Sequence, residues 1–89
     1  MVQINEGIAG FSFFRAGARR VCLVGDFNDW RPDQLVMTAD ADGYWRACLM
    51  LSPGIHAFRY FADGQWCTDH GAFGIRPGPH GHNSVLRVG

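Results

Sequence analysis

A chain of 89 residues with 47% hydrophobic side chains reads as one domain, residues 1–89, small enough to bury only roughly 60–65% of its unfolded surface. Eight basic residues balance eight acidic ones, which weakens a nucleic-acid reading, since that wants a basic stripe, and gives no electrostatic reason to sit on an anionic bilayer. No apolar run approaches the roughly 20 residues needed to span a membrane. The first apolar stretch is short, and the Arg19-Arg20 pair follows it instead of preceding it, so no signal peptide is predicted.

Every predicted element is a strand or a turn. Residues 9–16 are rich in β-favouring aromatics (Phe11, Phe13, Phe14), and residues 20–24 form a second strand with Val21 and Leu23 on one face. Residues 25–33 carry Gly, Asn, Asp and Pro and read as a loop. Residues 35–38 are a short strand. The Asp42-Gly43 pair closes a hairpin turn, because it supplies the positive φ angles that a tight turn needs. Residues 44–51 follow, with Trp45, Ala47, Leu49 and Leu51 on one side, until Ser52-Pro53-Gly54 turns the chain again.

Residues 56–62 alternate, placing Phe58, Tyr60 and Ala62 on one face and Arg59 and Phe61 on the other. Asp63-Gly64 is a second hairpin turn, and residues 65–68 return from it. Residues 70–82 are a loop of Gly, Pro and His, and residues 84–88 are the last strand. About seven short strands separated by turns predict an all-β fold, an immunoglobulin-like (early-set) antiparallel β-sandwich.

The cysteines, Cys22, Cys48 and Cys67, are odd in number and match no CxxC or zinc spacing. Their apolar, strand-like contexts predict buried thiols in a reducing cytoplasm. His70, His80 and His82 fit no zinc pattern either, so neither metal nor cofactor is expected. Catalytic motifs are missing: there is no nucleophile elbow, P-loop or dinucleotide glycine pattern. Glycoside hydrolysis would need two carboxylates across a cleft, and Glu6 is the only glutamate. The chain is expected not to be an enzyme.

Two of the three tryptophans, Trp30 and Trp66, stand at turns instead of inside apolar runs. An indole there is either a core plug or part of a surface platform, and a platform suits sugar rings, whose C–H faces are apolar and whose edges carry hydroxyls. Alternation sends Arg59 outward, and on the neighbouring strand of its hairpin Trp66 can stand beside it on the same face, although a one-residue slip would reverse this. Asn83 has two readings, a strand-capping residue or a donor and acceptor for hydroxyls.

The pattern Val21-x-Leu23-x-Gly25-x-Phe27-Asn28-x-Trp30, Gly43-x-Trp45, Leu51-x-Pro53-Gly54, Phe58-Arg59-Tyr60-x-x-Asp63-Gly64-x-Trp66 and Asn83-Ser84-Val85 resembles the glycogen-binding modules of carbohydrate-binding family 48. These are also called isoamylase N-terminal domains, and they occur in the beta subunit of AMP-activated protein kinase and in glycogen branching and debranching enzymes. The resemblance implies that Trp30 and Trp66 form the sugar platform, that Arg59 is the basic residue between them, and that Asn83 bonds sugar hydroxyls. Kinase-type modules carry a Leu and a Thr before that Asn. Here the segment reads Pro79-His80-Gly81-His82, so those two contacts are not carried over. The implied function is non-catalytic binding of an α-1,4-linked glucan of the glycogen or starch type. Two alternatives stand beside it: a protein-interaction module of the same fold, and the front accessory module of a longer glucan-processing enzyme, packed on its catalytic domain.

Overall fold

The computed structural model describes residues 2–69, 74–78 and 81–89. The strands are β1 (Val2–Asn5), β2 (Ile8–Phe14), β3 (Val21–Gly25), β4 (Leu35–Val36), β5 (Thr38–Ala39), β6 (Tyr44–Met50), β7 (Gly54–Ala62), β8 (Gln65–Cys67), β9 (Gly74–Gly78) and β10 (Gly81–Val88). One turn of 3-10 helix, Asp26–Asn28, follows β3. The strands form two antiparallel sheets, one of four strands in the order β1-β2-β6-β5 and one of six in the order β4-β3-β7-β10-β9, with β8 also paired to β7. This is a β-sandwich, as the alternation of the sequence predicts.

The count exceeds the expected seven for identifiable reasons. Val2–Asn5 becomes a strand because Glu6 (φ 53) and Gly7 (φ 81) make a hairpin turn that folds it onto β2. Residues 35–38, expected as one strand, divide between the sheets. Leu35 and Val36 pair with β3, Thr38 and Ala39 pair with β6, and buried Met37 makes the crossing with its N–H on the Val21 carbonyl at 2.8 Å. Gly74–Gly78 lies within the segment expected to be loop, yet it pairs with β10. Its Pro77 is tolerated because β9 is an edge strand, the place in a sheet where proline is found.

Period-two alternation explains the core. Phe58, Tyr60 and Ala62 of β7 face inward with Val21 and Leu23 of β3, and meet Ala9, Phe11 and Trp45 from the other sheet. Phe58 packs edge-on against both Phe11 (5.1 Å between centroids) and Tyr60 (5.6 Å), while Phe13 stacks on Tyr60 at 4.3 Å. Burying each of these large side chains contributes about 1.5–3 kcal/mol. Trp45 is a core residue, as its mid-strand position predicts, and its indole N–H donates to the Arg15 carbonyl at 3.1 Å.

The cysteines depart from expectation in one case. Cys22 is buried and Cys67 half-buried, but Cys48 is exposed. It stands opposite Gly10, between Arg46 and Met50 on the outward face of β6, so the same alternation that buries Ala47 and Leu49 turns it to solvent.

Candidate glucan-binding site

Each residue from Gly25 to Trp30 has a structural task. Gly25 is extended (φ −165), so it is required for space and not for backbone freedom. A Cβ there would lie 2.5 Å from the Phe27 ring and 2.7 Å from the Ala57 carbonyl oxygen. Asp26 accepts the N–H of Ala57 at 3.0 Å, just beyond the last β3–β7 pair, Gly25 with Phe58. Phe27 tilts against Phe11 in the core. The buried Asn28 side chain accepts from the Gly25 N–H at 3.0 Å and donates to the Arg31 carbonyl at 3.2 Å. The Trp30 N–H then returns to the Gly25 carbonyl at 2.9 Å. Asp29 (φ 57) and Trp30 (φ 58) both adopt left-handed backbone, which costs an L-residue of this kind about 1–2 kcal/mol. A bulky residue held in this way is a mark of sites where position matters more than stability. The Trp30 side chain is half-buried.

The central strand β7 carries the rest. One edge pairs with β3 along its C-terminal half, from Phe58 to Ala62. The other edge is shared: β10 takes Gly54 to Phe58 and β8 takes Tyr60 to Ala62. Arg59 stands at the junction, on the face away from the core. Its guanidinium carbon is 5.2 Å from the centroid of the Trp66 ring, a cation–π contact. Arg59 is 9% exposed and Trp66 40% exposed, so the indole covers the cation and keeps its own surface toward solvent. Phe61, the cross-strand partner of Trp66, supports it at 4.8 Å.

Asn83 is half-buried on β10, one residue before the Ser84–Phe58 pair. Continuing that register by one step sets Asn83 opposite Arg59 on the outward face. Arg59, Trp66 and Asn83 therefore share one face of the six-stranded sheet. The Trp30 backbone is held to the end of β3 at the level of Phe58, and Trp66 lies level with Phe61 across the strand. His82 is exposed; His70 and His80 lie outside the described residues. A shallow groove of about 250 Å³, lined by Arg20, Cys22, Pro32, Asp33, Phe61 and Asp63, continues the surface past Phe61.

The turn that carries Trp66 is anchored by charge. Asp63 (φ 48) and Gly64 (φ 83) make the predicted hairpin turn, and the Asp63 carboxylate accepts the N–H groups of Arg19 and Arg20 at 2.9–3.1 Å. Those two backbone bonds hold its pKa below the usual carboxylate value. On the inner face, the Tyr60 hydroxyl donates to Asp69 at 2.6 Å, and burial together with that bond pushes the phenol pKa far up, so it stays a donor. Neither Phe61 nor Asp69 stands out as a site residue in the sequence. For Phe61 the signal was present in the alternation of β7; for Asp69 there was none.

An outward aromatic surface with a cation and an amide beside it, on a small β-sandwich, defines a recognition module. Residues 11–85 match the family described as the glycogen recognition site of AMP-activated protein kinase, and the chain belongs to that family. It is also similar to bacterial 1,4-alpha-glucan branching enzymes (GlgB). It is 36% identical to that of Rhodopseudomonas palustris (strain BisB5) over 78 residues, 85% of this chain and 9% of the relative. It is 38% identical to that of Bradyrhizobium diazoefficiens over 82 residues, 92% of this chain and 9% of the relative. The chain thus spans less than a tenth of the length of these enzymes.

Proposed function

We propose that the outward face of the six-stranded sheet binds an α-1,4-linked glucan without catalysis, residues 1–89 acting as one module. Trp30 and Trp66 stack on glucose rings, while Arg59 and Asn83 bond the hydroxyls along their edges. The observation that carries this reading is the Arg59 guanidinium lying under an indole whose other surface is open to solvent. The family membership and the branching-enzyme relatives support the ligand class. Two of the carboxylates have other places: Glu6 lies in the β1–β2 turn of the other sheet, and Asp63 is committed to backbone N–H groups. A glycogen-type ligand supports a cytoplasmic location for the module.

Stacking contacts of about 1 kcal/mol each must outweigh several kcal/mol of lost ligand freedom. A dissociation constant of roughly 10 μM to 1 mM follows. Tryptophan fluorescence titrated with β-cyclodextrin tests the reading. The parent protein saturates, and Trp66→Ala and Trp30→Ala each abolish the response. A flat titration of the parent at millimolar ligand, or a Trp66→Ala protein retained on a glycogen column like the parent, refutes it.

One observation favours a second role as an accessory module that packs on a catalytic domain or another protein. The outward face of the four-stranded sheet presents the cross-strand pairs Ile8–Met50 and Phe14–Tyr44, with Met50 82% exposed. Light scattering that shows a dimer undisturbed by excess maltoheptaose would favour protein contact through this face.

A further inference from the structure

The shared edge of β7 leaves a break in the sheet at Arg59, where β8 ends and β10 begins. A bonded cluster spans that break on the inner side. Tyr60 of β7, fully buried, donates its hydroxyl to the Asp69 carboxylate at 2.6 Å. Ser84 of β10, fully buried, accepts the Asp69 N–H at 2.7 Å and donates to the Asp69 carbonyl at 3.0 Å. Asp69 itself is 6% exposed. On the outer side the Thr68 hydroxyl donates to the His82 carbonyl at 3.3 Å, joining the same two chain segments.

The members of this cluster are sequence neighbours of the candidate ligand contacts. Tyr60 follows Arg59, Ser84 follows Asn83, and Asp69 lies three residues beyond Trp66. Because successive side chains of a strand point to opposite faces, whatever fixes the inner residue fixes the outer one. Among the described residues no backbone ladder joins β8 to β10, which pair with β7 separately. Each is registered on β7 by its own ladder, and the side-chain bonds of Asp69, Ser84 and Thr68 join the two segments directly across the break.

We infer that Tyr60, Asp69 and Ser84 are positioning residues for the glucan site, a buried clamp that sets the spacing of Arg59, Trp66 and Asn83 on the opposite face. This inference rests on the glucan-binding reading. It adds residues that touch no sugar and yet decide affinity, as a supporting shell does for any preorganised site.

The test compares Ser84→Ala, Tyr60→Phe and Ser84→Thr, which restores the hydroxyl, with the parent. Binding of β-cyclodextrin and the Trp66 indole N–H resonance are measured well below every melting temperature. The inference expects Ser84→Ala and Tyr60→Phe to bind about tenfold more weakly, equivalent to losing roughly one stacking contact, to shift the Trp66 resonance, and Ser84→Thr to restore both. Variants that melt earlier but keep parental affinity and an unmoved resonance overturn it, since that is the result of a purely structural role. Should Ser84→Ala not fold, Thr68→Val, which removes the exposed Thr68–His82 bond, is judged by the same two readouts. If the parent binds no β-cyclodextrin, the functional reading falls, and the clamp stands or falls on whether the resonance moves in Ser84→Ala and returns in Ser84→Thr.

Discussion

Replacing Gly25 by Ala tests the corner on which Trp30 is mounted. At φ −165 the backbone suits any residue, so the whole effect is steric. The new methyl would lie 2.5–2.6 Å from two atoms of the Phe27 ring and 2.7 Å from the Ala57 carbonyl oxygen. The ring can tilt, but the carbonyl belongs to β7 and moves only if the β3–β7 ladder opens. Overpacking of this kind costs about 1–3 kcal/mol, against a total stability of roughly 4–13 kcal/mol for a chain of this length. For a small domain that lowers the melting temperature by roughly 5–20 °C. Gly10 provides an internal control. It is also a strand glycine, but its added Cβ would meet only the Gln3 carbonyl at 3.7 Å, an ordinary contact. Gly10→Ala should leave stability unchanged or raise it by up to about 1 kcal/mol through the lower entropy of the unfolded chain. Thermal and urea unfolding followed by circular dichroism reads both variants. If Gly25→Ala melts within about 3 °C of the parent, or if both variants fall equally, the close-approach argument is wrong. Repeating Gly25→Ala with Phe27→Ala separates the two contacts, because relief of the clash appears as coupling between them.

The Asp63 anchor predicts a pH dependence. Its folded pKa is lowered, so its contribution is complete above the ordinary carboxylate value of about 4 and is lost as the pH falls through the folded value. Asp63→Asn should therefore melt below the parent at neutral pH and converge with it as the pH falls below about 4; a gap that stays constant on acidification contradicts the assignment. Thiol labelling should show one fast site, Cys48, abolished by Cys48→Ser, with Cys22 (1% exposed) reacting only on unfolding. A native protein in which Cys22 reacts first would contradict the placement of β3 and β6.

Much of the fold was legible where side-chain period and turn chemistry agreed. The alternation over β7 identified Phe58, Tyr60 and Ala62 as core and sent Arg59 and Phe61 outward, and the two Asp-Gly turns fall where expected, although in the first only Gly43, and not Asp42, takes a positive φ. What escaped were features decided by partners distant in sequence. The four residues of β1 alternate Val-Gln-Ile-Asn, but so short a run is no strand by itself and becomes one by pairing with β2. Pro77 argues against a strand until β9 is seen to lie at an edge. Residues 35–38 have one uniform pattern, and nothing local says that the sheet changes at Met37. In the candidate site, the shared face of Arg59 and Trp66 followed from the hairpin register. The partial burial of Trp30 did not, because it depends on a turn built from Gly25, Asn28 and two left-handed residues. Asp69 was invisible because its partners, Tyr60 and Ser84, are 9 and 15 residues away.

The crossing at Met37 has a consequence for how the molecule comes apart. Val36 is hydrogen-bonded into one layer and Thr38 into the other, so no slack chain connects the layers at that point. Neither layer can peel away while the other stays intact without tearing this seam. Melting should accordingly be all-or-none, with the calorimetric and van't Hoff enthalpies equal, and a half-melted form that bares one set of aromatic side chains to other molecules has no stable place on the route.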